Sequence, residues 1–238
     1  MPLDFTGECF VPGKAPPRME ADHVARYEFA ARHARGCSVL DIACGAGYGS
    51  AMLAHAGAVH VDAVDLSEPA IAHARDHYAH DAIDFQVGDI YRFDTATRYD
   101  LIVSFETIEH VDDYHAALRN LARLLRPGGR LIVSSPNRPL TSPHARTLHD
   151  KPGNSYHVHE FTIDELTAAL VQHGFSVPPG SVYGQRQQPV FVFAPLNHLY
   201  RALFKPKRRA DPAVTPVGRL APRYMVIVAQ SPGAAPPA

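Results

Sequence analysis

Val39-Leu40-Asp41-Ile42-Ala43-Cys44-Gly45-Ala46-Gly47-Tyr48-Gly49-Ser50 is the stretch on which the reading of the whole chain turns. Strand-forming apolar residues run into three glycines at alternate positions, and a helical pattern begins directly afterwards, as where a buried parallel strand hands over to a ligand loop. Glycine lets the backbone turn sharply and lets a ligand approach where a Cβ would collide. The open N–H groups of the following helix favour polar or anionic ligand groups, so the loop reads as the cradle of a nucleotide-like cofactor. Spacing argues against a dinucleotide, whose third glycine falls three residues after the second, whereas Gly49 follows Gly47 by two. Asp41 lies inside the strand, where dinucleotide folds carry an apolar side chain, and it needs a polar partner at the strand's carboxyl end.

The same logic recurs downstream. Val59 to Asp65 reads as a second strand ending in an acid, placed where a βαβ unit sets a carboxylate against ribose hydroxyls. Ser67 caps a helix with Pro69 in its first turn. Ile83 to Val87 is a third strand, with Gly88-Asp89-Ile90 as its carboxyl-end turn. Tyr99 to Ser104 is a fourth, followed by Phe105-Glu106-Thr107-Ile108-Glu109-His110 and a helix from about Asp112 to Arg126 that Pro127-Gly128-Gly129 ends. Arg130 to Ser135 is a fifth strand, stopped by Pro136. Upstream, Val24, Tyr27, Ala31 and Ala34 recur at helical spacing from Ala21 to about Arg35. Downstream, Thr162 caps a helix to about His173, and Phe175 to Tyr183 and Arg223 to Gln230 read as antiparallel strands. This alternation gives a doubly wound, mostly parallel sheet with its ligand crevice at the carboxyl ends of the strands.

Leu40 to Gly47 resembles motif I of the class I S-adenosylmethionine-dependent methyltransferases. The resemblance implies a Rossmann-like α/β fold with a mostly parallel seven-stranded sheet and an antiparallel C-terminal strand. It implies S-adenosyl-L-methionine as cofactor, held by Asp41, Ala43, Gly45, Gly47 and Tyr48 of the loop. Asp65 with Leu66 would hold the ribose, Asp89 with Ile90 the adenine, and Phe105 would line the pocket. Thr6-Gly7-Glu8-Cys9-Phe10-Val11-Pro12 is similar to an N-terminal arm of a bacterial subgroup, which turns Arg26 and Tyr27 toward the cofactor or substrate.

With 238 residues the chain fits residues 1–36 as arm and cap helix, 37–230 as the methyltransferase domain and 231–238 as a disordered tail. The loop 139–160 and the insertion 184–222, with a short amphipathic helix at Leu196–Phe204, are candidates for a lid or a homodimer surface. A net charge of −1 and a pI near 6.9 leave no footprint for nucleic acid or an anionic membrane. The run Lys205-Pro206-Lys207-Arg208-Arg209 reads as a solvated loop. Three cysteines, no leader-like N-terminus and no long apolar run point to a soluble cytoplasmic protein acting on a small molecule. Cys44 reads as a small buried residue, and His33, His73, His77 and His115 fall on ordinary helix faces.

Methyl transfer needs an electron pair in line behind the sulfonium methyl and benefits from deprotonation of the acceptor. Glu106, Glu109 and His110 fall at i, i+3 and i+4, and a second segment offers His157, His159 and Glu160. Two readings stay open. Glu-x-x-Glu-His with a later His-x-x-Glu is similar to the metal-dependent small-RNA 2′-O-methyltransferases, which makes Glu106, Glu109, His110 and His157 candidate ligands of a divalent ion such as Mg²⁺ or Mn²⁺. The pattern is less closely similar to the ubiquinone-pathway O-methyltransferases. Without an ion, Glu106 lines the pocket and His110 or His157 serves as general base. The expected reaction is methylation of an oxygen, less readily a nitrogen, of a small hydroxylated metabolite. RNA 2′-O-methylation and a nicotinamide-dependent reductase or epimerase are the alternatives; near-neutral charge counts against the first, and the glycine register with the lack of a Tyr-x-x-x-Lys pair against the second.

Overall fold

A computed structural model describes residues 10–189 and 211–231. Apolar runs form the parallel strands β1 (Ser38–Ile42), β2 (His60–Asp65), β3 (Ile83–Val87) and β4 (Tyr99–Phe105), followed by β5 (Leu125–Pro136). Three further strands complete the sheet: the short β6 (Val182–Gln185) and β7 (Thr215–Pro216), and β8 (Tyr224–Gln230). Their order is β3-β2-β1-β4-β5-β8-β6-β7, and β8 runs antiparallel to both β5 and β6. The two-residue β7, antiparallel to β6, is the eighth strand beyond the seven expected. Because successive side chains alternate across a strand, Leu101 and Val103 pack into one core while Ile102 packs into the other. Helices α1 (Pro17–Ala31), α2 (Tyr48–His55) and α3 (Glu68–His77) border the first core; α4 (Tyr114–Leu124), α6 (Ile163–Gln172) and the one-turn α5 (Arg138–Thr141) complete the helices.

Several boundaries differ from expectation for local physical reasons. α1 starts four residues early because Pro17 suits a first helical position, and it ends at Ala31, before turns that lead to Gly36 at φ +73°. α4 ends at Leu124, before the Pro127-Gly128-Gly129 run expected to stop it. Leu125 already pairs with Tyr99, and pairing resumes at Arg130 with Leu101, so the Pro-Gly-Gly turn bulges out of the strand pair. The strand expected from Phe175 reduces to a bridge at Ser176 and to β6, because Pro178 and Pro179 cannot donate to a ladder and Gly180 turns at φ +81°. Thr6–Cys9, the expected helix Leu196–Phe204, the basic run after it and the tail from 232 lie outside the described residues.

The order of strands reverses between β1 and β4, which opens a crevice at their carboxyl ends. Among the described residues, no helix is long and apolar enough to cross a membrane.

Candidate active site

The crevice is a cavity of about 1630 Å³ lined by the loops after β1, β2, β4 and β5, by one face of α1 and by the 153–160 segment. Its floor is the glycine loop. The N–H groups of Ala43 and Cys44 both donate to the Val64 carbonyl, at 2.7 and 3.0 Å, which draws Ala43 into the left-handed region at φ +64°. Gly45 N–H donates to Asp65 Oδ2 at 2.8 Å, and Gly47 at φ +87° starts α2 with no side-chain cap. Gly47 and Gly49 meet protein rather than ligand: a Cβ on Gly47 would lie 2.5 Å from Ala74 Cβ, and one on Gly49 would lie 2.1 Å from the Tyr27 ring.

Tyr27 thereby packs flat into the loop and gives Asp41 the partner its strand position demands. The Tyr27 hydroxyl donates to Asp41 Oδ1 at 3.0 Å and the Ser50 hydroxyl to Oδ2 at 2.6 Å. Burial raises the Asp41 pKa to about 7, against the downward pull of those two hydroxyls. Asp65 braces the loop from β2: besides Gly45, its Oδ1 accepts from Ser67 N–H at 2.8 Å. Leu66 beside it is 73% exposed.

Of the expected cofactor residues, Tyr27, Ala43, Gly45, Tyr48, Asp65, Leu66 and Phe105 line the cavity. Asp41 and Gly47 lie behind its wall. Asp89 and Ile90 lie outside it on the tip of β3: Asp89 Oδ1 accepts from Tyr91 N–H at 2.9 Å, and the Ile90 carbonyl accepts from Asn120 at 2.8 Å. The three acids Asp41, Asp65 and Asp89 therefore share neighbouring strand tips, but only Asp65 reaches the cavity surface.

The acid–histidine segments meet on the far side of the cavity. One ligand atom each from Glu109, His110 and His157 fall within 4.8 Å of one another. Glu109 is fully buried and its two carboxylate oxygens have no hydrogen-bond partner; the Ser135 hydroxyl and the residue's own N–H face it without closing a bond of good geometry. Burial, reinforced by Glu106, pushes its carboxyl well above the usual range. A buried, unpartnered carboxyl beside two imidazoles fits the donor set of a divalent ion. Glu106 falls outside this group of three: Oε1 accepts from Ser134 at 2.7 Å and lies 3.9 Å from Arg26, with the backbone at φ +49°.

His157 is held from behind. Its Nδ1 meets Glu160 Oε1 at 2.7 Å, Thr141 donates to the other Glu160 oxygen, and His157 Nε2 meets the Asn154 amide at 2.8 Å. Burial favours a neutral Glu160, but the His157 and Thr141 hydrogen bonds outweigh it and hold the carboxyl below its usual range. With Nδ1–H directed at that carboxylate, Nε2 carries the lone pair. His110 Nδ1 meets the Tyr156 carbonyl at 3.1 Å, so both imidazoles are oriented through the same segment. Glu160, offered by the second segment from its spacing, is the partner of His157, whereas Ser50, the partner of Asp41, was not singled out by spacing.

A doubly wound sheet with its crevice at the β1/β4 reversal and a glycine loop braced by an acid has the class I methyltransferase architecture. The chain belongs to the methyltransferase domain family, whose model matches residues 18–178. It is similar to a probable S-adenosylmethionine-dependent methyltransferase of Mycolicibacterium smegmatis, 34% identical over 177 residues that make up 74% of this chain and 66% of the relative. It is 40% identical over 107 residues, 44% of this chain and 45% of the other, to a ubiquinone biosynthesis O-methyltransferase of Coxiella burnetii. The chain thus spans roughly half to two thirds of these curated relatives. The N-methyltransferase NodS of Bradyrhizobium japonicum WM9, solved with S-adenosyl-L-homocysteine, shares the fold at a TM-score of 0.61 and 19% identity, covering 91% of this chain and 88% of that one.

Proposed function

We propose that this chain is an S-adenosylmethionine-dependent methyltransferase that methylates an oxygen of a small hydroxylated metabolite. The observation that carries the oxygen assignment is the Glu160–His157 pair, an oriented imidazole on the same cavity as the glycine loop, whose Nε2 lone pair accepts from the exposed Asn154 amide at 2.8 Å until an acceptor hydroxyl displaces that amide. Relatives named as ubiquinone biosynthesis O-methyltransferases support it over that part of the chain.

When bound, the cofactor supplies a methyl group already activated on a sulfonium. The residues of the chain do the rest. Gly45, Asp65 and the exposed Leu66 offer a carboxylate beside an apolar surface for the adenosine part, and Phe105 and Tyr27, in edge contact, line the same cavity. His157 Nε2, released by the Asn154 amide, would take the proton of an acceptor hydroxyl as the methyl group passes from the sulfonium to that oxygen and leaves a neutral thioether, and Glu160 would stabilise the resulting imidazolium. A divalent ion held by Glu109, His110 and His157 would lower the acceptor's pKa. That ion and the His157 base are alternatives, because both need the same lone pair.

The test is transfer of labelled methyl to a panel of hydroxylated metabolites and matched amines. His157→Ala should lower kcat by about 10²–10⁴-fold, with S-adenosylmethionine affinity unchanged. Label appearing only on amines would overturn the oxygen assignment. Activity lost to EDTA and restored by Mg²⁺ or Mn²⁺ would select the ion over the free base. The same carboxylate–imidazole group also suits RNA 2′-O-methylation, so a short oligoribonucleotide belongs in the panel.

A further inference from the structure

The cavity has a third wall that the reaction above does not use. Arg18, Asp22 and Arg26 recur every four residues along α1 and line the cavity from one helix face. Beside them the lining is completed by Arg186, just after β6, and by Arg223 and Tyr224, where β8 begins. Four guanidinium groups therefore converge on one wall of a chain whose net charge is −1.

Among the described residues, little carboxylate charge is left for Arg18, Arg26 and Arg223. Asp22 is committed to Arg186, whose Nε donates to its two carboxylate oxygens at 2.6 and 2.7 Å while the backbone sits at φ +50°. Arg26 is only 1% exposed, yet its one carboxylate in ion-pair contact among the described residues is Glu106 at 3.9 Å, itself bonded to Ser134, and the other carboxyl it acts on is the buried Glu109. One Arg26 terminal nitrogen donates to Gln185 Oε1 at 2.7 Å, and its Nε has no hydrogen-bond partner among the described residues. Arg26 and Arg223 lie over the same Tyr224 ring, at 5.4 and 5.9 Å from its centroid. Arg18 and Arg223 have no carboxylate in ion-pair contact among the described residues; the Arg223 guanidinium donates only to the Leu140 carbonyl at 3.4 Å.

Like charges gathered in a part-buried wall, with one buried donor unsatisfied, are costly in the free protein. The cost is offset when an anion enters, and planar guanidinium forks suit the paired oxygens of carboxylate and phosphate. We propose that this wall is an anion subsite for the acceptor, with Arg18 and Arg223 gripping a carboxylate or phosphate of the substrate and Arg26 supporting them from behind. This rests on the methyltransferase reading and narrows it: the acceptor is a hydroxylated acid, anchored on α1 and β8 while its hydroxyl meets the 154–160 segment.

The experiment uses the full chain saturated with S-adenosylhomocysteine, whose own carboxylate occupies any cofactor site and so removes that source of anion binding. Thermal melting is followed as sodium phosphate or sodium citrate is added, against sodium chloride at equal ionic strength. The wild type should gain melting temperature specifically with phosphate or citrate, and the Arg18→Ala/Arg223→Ala variant should lose about tenfold or more in apparent anion affinity. Equal responses of the two proteins, or no response beyond chloride, would overturn the subsite. Should the double variant fail to fold, the exposed Arg18→Glu alone provides the same comparison. Titration with S-adenosylhomocysteine is run separately on both proteins. If the wild type does not bind it, the cofactor reading fails, while the anion response is still read without it.

Discussion

Asp41 is a fully buried carboxyl that folding must hold away from water. Its pKa of about 7 in the folded chain lies above the unfolded value of 3.8, so the fold prefers the protonated form. The sign follows from linkage: between those values the native state binds more protons than the unfolded one, and stability falls as pH rises. The contribution is full below about pH 4, declines toward pH 7 and is flat above. Urea unfolding of the wild type against Asp41→Asn across pH 4.5 to 7.5 should therefore show a difference that grows with pH; a constant difference would refute the assignment. Gly49 is the complementary position. A methyl there meets the Tyr27 ring at 2.1 Å, so Gly49→Ala should displace Tyr27 from Asp41 and cost about 1–3 kcal/mol in the same measurement.

Among the elements, α6 follows its sequence signals closely and α4 carries a surprise. Thr162 caps α6 in a reciprocal box with Glu165, and Arg138 from α5 clamps that glutamate at 2.7 Å. His115 on α4, read from spacing as an ordinary surface histidine, instead meets His173 at the end of α6, with ring nitrogens 2.8 Å apart. Only one of the two nitrogens can donate across that contact, so a second positive charge there is disfavoured. Burial, then His115 and Arg119, lower the His173 pKa below its usual 6.5. A base with a depressed native pKa supports the fold above about pH 6.5 and loses that support as pH falls further. His173→Asn should flatten this acid limb in thermal melts between pH 5 and 7; an unchanged limb would place it elsewhere. The connection from β3 to β4 is a different case. It carries no helix, and Asn120 of α4 fixes its turn through the Ile90 and Phe93 carbonyls at 2.8 and 3.0 Å.

At the scale of the whole molecule, the cofactor cavity and the stability of the sheet are linked, because Asp65 ties the loop after β1 to the tip of β2. S-adenosylhomocysteine at about 100 times its Kd should stabilise the fold by about 2.7 kcal/mol, read as a rise in melting temperature. Asp65→Ala should weaken its binding by about 1–3 kcal/mol; unchanged affinity in titration calorimetry would remove Asp65 from the cofactor site. The glycine loop, the acid-ended strands and the family were legible because they depend on neighbours in sequence: strand alternation, a turn that excludes Cβ, and a capping residue act over a few residues. The composition of the walls was not. Asp41 faces Tyr27 and Ser50 instead of the cavity, Glu106 turns to Ser134, and Arg26 meets Gln185 and Tyr224, 159 residues away in the first case. Such contacts arise only when α1, β6 and β8 pack around one crevice, and no periodicity in the chain records which side chains that packing leaves without partners.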